Sequence, residues 1–175
     1  MIPPAPAHPA IAVAFALLAA VCGWLATGLG ARDVRLWRLA AAALAALAVD
    51  QGFGVLEQLT AAARASAVEG GWYEGRRLFQ RWLVLGIGSA GLVAFGLWLR
   101  RRRPFSIDSA AALAGVLFLV CLALARASSQ HRVDAFLAAP AAFGLRWRAV
   151  LELLGIAAVG FAAAVAASSR RRRPR

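Results

Sequence analysis

Residues 39–62 read LAAAALAALAVDQGFGVLEQLTAA. The first half, Leu39 to Val49, is purely apolar, and the second half is interrupted by Asp50, Gln51, Glu57 and Gln58. A soluble helix of this length would alternate polar and apolar faces, and the first half has no polar face. The segment reads as a membrane span whose second half carries groups that lipid does not tolerate unpaired. Read as a span, it makes the chain a five-helix membrane protein. Without it the chain has four crossings and the N-terminus changes side.

The flanking sequence repeats the pattern. Apolar runs at about 10–29, 82–99, 109–125 and 149–167 are nearly free of charge and are separated by arginine-rich segments. Each is close to the ~20 residues that a helix needs to cross a bilayer. The chain has 175 residues, of which 62% are hydrophobic. Its mean hydropathy is +0.69. A β-barrel would show ~10-residue alternating segments, and these are absent. The expected architecture is an all-α bundle of about five transmembrane helices over 10–169. A short proline-rich tail, 1–9, precedes it and an arginine tail, 170–175, follows. No connection is long enough for a separate soluble domain, and no repeat is visible.

The net charge is +12, and every basic residue is arginine. In a soluble chain that excess points to nucleic acid. Here the arginines sit at the ends of apolar runs, where they set topology and meet anionic headgroups. No basic soluble domain remains to bind nucleic acid. The tightest runs, Arg100 to Arg103 and the C-terminal tail, are two spans apart and both fit the cytoplasmic side. Arg32 to Arg38 then lies inside. The segment from Arg64 to Arg81 lies outside, as does the segment from Arg126 to Arg148. The N-terminus is outside and the C-terminus cytoplasmic, and the plasma (inner) membrane is the expected location.

Trp37, Trp82 and Trp147 each neighbour an arginine, the arrangement expected of rings anchored at headgroup level. Cys22 and Cys121 lie within apolar runs and read as small buried hydrophobes. Metal-type Cys/His spacing, nucleotide-binding glycine motifs and a nucleophile elbow are all absent, so no cofactor is indicated.

Three groups of polar residues carry the functional reading. Asp50 and Glu57 stand seven apart, which at ~100° per residue puts them on one helix face, with Gln51 and Gln58 beside them. This stripe reads either as a proton or substrate site or as an interhelical polar clamp. His131 and Asp134, three residues apart, become neighbours if that segment is helical. A histidine so paired is either a general base or an interfacial residue. Arg76 and Arg77 follow Trp72-Tyr73 and precede Gln80; paired arginines there suit an anionic headgroup, or ion pairs with Glu69 and Glu74. Arg126 ends the fourth apolar run, and Glu152 stands one turn into the fifth. In the topology above all of these gather at the outer side.

The stretch Trp72-Tyr73-Glu74-Gly75-Arg76-Arg77, with Gln80, and the later Ser128, His131 and Asp134 resemble a group of small uncharacterised bacterial multi-pass membrane proteins. These carry a WY-x2-RR-x2-Q segment and a later S-x2-H-x2-D segment. The resemblance covers about fifteen residues and implies that the two segments matter together; it implies no activity. The Arg- and Ala-rich composition suits a GC-rich bacterium.

Three functions fit these residues. The first is a non-catalytic membrane component that binds a lipid headgroup or a membrane protein partner through Arg76, Arg77 and Arg126, with Tyr73 and Gln80 alongside. The second is a membrane-embedded enzyme on a lipid-linked substrate, with His131 as base or ligand, Asp134 as its orienter and Glu57 as a second carboxylate. The third is a small proton-coupled permease or permease subunit that titrates Asp50 and Glu57. Five spans are few for a transporter, and a homo-oligomer would double them.

Overall fold

The structure is a computed structural model, and it describes residues 9–27, 31–70, 106–127, 131–141 and 144–171. It is all-α. The helices are α1 (Pro9–Ala26), α2 (Ala31–Phe53), α3 (Val55–Glu69), α4 (Ile107–Ala127), α5 (His131–Ala138) and α6 (Trp147–Arg171). The apolar run at 82–99 and its glycines lie outside the described residues.

Four helices are long and apolar enough to cross a membrane, over Pro9–Ala26, Val34–Phe53, Ile107–Arg126 and Trp147–Ser169. At 1.5 Å per residue, each spans about the ~30 Å of a hydrocarbon core. Their outward sides are apolar too. Leu17, Trp24, Leu39, Val49 and Phe161 are all exposed. Such continuous apolar surface is foreign to a soluble domain and suits a bundle surrounded by lipid.

α1 packs against α2 and α6, and α4 packs against the same two helices. The four therefore form a ring in which α2 and α6 stand across from each other. α4 and α6 are antiparallel and in very close contact. A Cβ added at Gly115 would lie 2.7 Å from Val159 Cγ2, and one at Gly155 would lie 2.5 Å from Leu119 Cδ2. Lipid gives no hydrophobic drive between helices, so this close approach and the dispersion contacts it allows hold the pair. Small buried alanines, among them Ala40, Ala112, Ala162 and Ala166, belong to the same core.

α2 and α4 run parallel. Leu36, Trp37 and Ala40 near the start of α2 share a small cleft with Ser109, Ala112 and Leu113 near the start of α4. At the other end Arg126 of α4 meets Glu57, just past the end of α2. Trp37 is only 1% exposed, with its indole N–H buried and unpartnered among the described residues. The headgroup anchor expected at this position is instead a core side chain, because α2 begins at Ala31 and has already entered the bundle at Trp37. Trp147 is exposed and stacks on Phe136, with ring centroids 5.5 Å apart.

The span expected over 39–62 is not one helix. α2 starts earlier and stops at Phe53, and α3 starts anew at Val55. Between them Gly54 adopts φ 63°, ψ 36°, a left-handed conformation that glycine enters without steric cost. Side chains close the break from both directions. Asp50 Oδ1 accepts from Leu56 N–H at 2.8 Å, serving the open start of α3. Gln58 Nε2 donates to the Phe53 carbonyl at 2.7 Å, serving the open end of α2.

The segment after α4 holds the short helix α5. An antiparallel bridge between Pro140 and Arg146 then closes through Gly144 at φ 74° and leads into α6.

Candidate functional site: a charge network at one end of the bundle

The break in α2, the end of α4 and the start of α6 meet at one end of the ring. Glu152 is the centre of this meeting. It lies one turn into α6, and its side chain is only 3% exposed. Its Oε1 receives Gln51 Nε2 at 2.7 Å, Arg148 Nε at 3.2 Å and Arg126 Nη1 at 3.4 Å. Arg148 Nη2 also donates to Gln51 Oε1 at 3.0 Å. Arg126 reaches on through Nη2 to Glu57 Oε1 at 3.6 Å. The network thus joins α2, α3, α4 and α6.

Each member is placed by local structure. Arg148 and Glu152 are four apart on α6 and share one side of the helix. Gln51 sits in the last turn of α2 and reaches across the ring to Glu152 of α6. Arg126 occupies the last turn of α4, where a cation meets the negative end of the helix dipole. Glu57 stands in the first turn of α3, where an anion is favoured for the opposite reason.

The break re-sorts the polar stripe. In an unbroken helix Asp50 would pair in register with Glu57, and Gln51 with Gln58. Instead Asp50 and Gln58 serve the backbone at the break, while Gln51 and Glu57 enter the charge network. The αL residue turns the register of everything after it, which no helical wheel anticipates.

The burial of the members is graded. Arg126 and Arg148 side chains are 13% and 17% exposed, and Glu57 is 44% exposed. Charges removed from water need partners, and Arg126 and Arg148 share Glu152 as theirs. One acceptor is left over: Glu152 Oε2 is buried with no hydrogen-bond partner among the described residues.

Of the residues singled out in the sequence, the structure brings Asp50, Glu57 and Arg126 to this end of the bundle. Tyr73, Arg76, Arg77 and Gln80 lie outside the described residues. His131 and Asp134 occupy the first turn of α5, which packs on α4 and α6; their side chains are not among those described. Sequence reasoning noted Gln51 and Glu152 among the polar residues on this side but gave them no role, and it passed over Arg148. The available signal was a glutamate inside an apolar run, four residues after an arginine. Among the described residues no group of three or more His, Cys, Asp or Glu is placed to hold a metal ion. Comparison with protein-family models, with characterised proteins and with solved structures gives no match to this chain.

Proposed function

We propose that the chain is a five-span bacterial plasma-membrane component without catalytic activity, which binds an anionic lipid headgroup at its outer interface. The observation that carries this reading is the commitment of Arg126, Arg148 and Gln51 to one oxygen of Glu152. A site whose guanidiniums and amide are spent on one buried carboxylate oxygen fastens helices together, which supports a structural rather than a catalytic role. With Arg126 engaged internally, headgroup binding falls to Arg76 and Arg77, which the outer connection carries beside Tyr73 and Gln80.

The parallel course of α2 and α4 supports the fifth crossing, because successive spans alternate in direction and a crossing between these two restores the alternation. The same packing supports the orientation. Arg35, Arg38 and Arg171 stand at the end opposite the network, where arginines outnumber Asp33 and Asp108, and this supports a cytoplasmic placement of that end.

Melting temperatures of the detergent-purified protein, measured with phosphatidylglycerol and with phosphatidylcholine, test the reading. Phosphatidylglycerol is expected to stabilise the wild type and to lose that effect in the Arg76→Ala/Arg77→Ala double variant. Equal stabilisation of wild type and variant would overturn headgroup binding through this pair and turn attention to a protein partner.

One observation favours the permease reading as a second possibility. Glu57 and Glu152 pair with two guanidiniums, Asp50 caps the adjacent helix break, and Glu152 Oε2 is without a partner among the described residues. Proton uptake by proteoliposomes that is abolished in Asp50→Asn would establish this reading in place of the first.

A further inference from the structure

We infer that α3 is not part of a span but lies in the plane of the membrane, with its Val55–Leu59 side in the outer headgroup layer. This goes beyond the proposed headgroup binding and does not depend on it; which side of the membrane is meant rests on the orientation proposed above.

The argument begins with length. The apolar stretch of α2, Val34–Phe53, has 20 residues and at 1.5 Å per residue fills about 30 Å, the whole hydrocarbon core. α3 begins two residues after Phe53, so it starts where the hydrocarbon ends. The left-handed Gly54 lets the chain change direction there, and the caps from Asp50 and Gln58 leave both helix ends satisfied after the change.

Only the first turn of α3 is held to the bundle. Leu56 tucks against the core, and Glu57 pairs with Arg126. Beyond that turn the described side chains are almost all exposed, with Leu59 at 61%. Val55 and Leu59 are one turn apart on the same side, and both are exposed, as is Phe53 at the end of α2. Phe53 belongs to a span and faces lipid. A helix that starts at the membrane boundary and exposes Val55 and Leu59 on one side matches the amphipathic helices that rest at the headgroup–acyl boundary. The stacked Phe136 and Trp147 stand exposed at the same end of the bundle, as aromatic rings do at a membrane interface.

Spin labels on full-length protein in liposomes test the placement, with Cys22 and Cys121 replaced by alanine and single cysteines introduced as Leu59→Cys and Ala61→Cys. Both positions are exposed, so the labels leave the core unchanged. The expected result is that collisions with oxygen dominate at position 59 and collisions with a water-soluble nickel chelate dominate at position 61. Nickel dominance at both positions would make α3 an arm in water, and oxygen dominance at both would return it to the hydrocarbon. Low accessibility to both reagents at position 59 would mean that protein covers it, as a second copy or a partner. Each of these three results overturns the inference.

Discussion

Gln51 and Glu152 stand on helices that face each other across the ring, and the hydrogen bond from Gln51 Nε2 to Glu152 Oε1 is 2.7 Å long. Gln51 also accepts from Arg148, so a neutral amide is held between two charges of opposite sign. The amide adds no charge of its own and satisfies one donor and one acceptor at once, in surroundings where each would be costly alone.

Removing the hub leaves Arg126 and Arg148 without their shared counter-ion. Glu152→Ala is expected to destabilise the protein by about 3–5 kcal/mol, as for other broken buried pairs. Glu152→Gln keeps an acceptor and is expected to cost less. Thermal unfolding in detergent distinguishes them; an Ala variant as stable as wild type would mean that the network is not structural.

Glu57 gives the contrasting case. Its pair with Arg126 is long, at 3.6 Å, and the carboxylate is 44% exposed. Glu57→Gln is expected to change stability by less than about 1 kcal/mol, the range of solvent-exposed pairs. A loss as large as that of Glu152→Ala, in the same unfolding assay, would show the pair to be dry.

At the helix break, Asp50→Ala removes the cap on Leu56 N–H and is expected to cost about 1 kcal/mol, while Asp50→Asn retains an acceptor and most of the stability. Gly54→Ala is expected to cost about 1–2 kcal/mol through its left-handed backbone. Hydrogen exchange of the α3 amides should rise in Asp50→Ala and Gly54→Ala and stay near wild type in Asp50→Asn. Uniform exchange in all three variants would remove the capping role.

Gly155→Ala places a methyl group against Leu119 and is expected to destabilise the α4–α6 pair by about 1–3 kcal/mol. Combining it with Leu119→Ala should give a double variant less damaged than the sum of the two single changes, because the methyl group enters the space the leucine leaves. Strict additivity of the unfolding free energies would mean that the two residues do not share this contact.

The amino-acid sequence by itself determined the all-α, membrane-spanning character, because an apolar run of about 20 residues has few ways to satisfy its backbone in lipid. It also marked Asp50, Glu57 and Arg126, since charge within or beside such a run stands out against its surroundings. The tertiary structure alone decided how those residues are used. A single left-handed glycine at position 54 ends α2 at Phe53 and lets Asp50 cap α3, while the packing of the helices brings Gln51 to Glu152. Helical periodicity assumes one unbroken register, and one backbone dihedral pair outside the helical region cancels it for every residue that follows. Likewise, Gly115 and Gly155 look unremarked in an alanine-rich chain, and only the antiparallel contact of α4 with α6 makes them the points of closest approach.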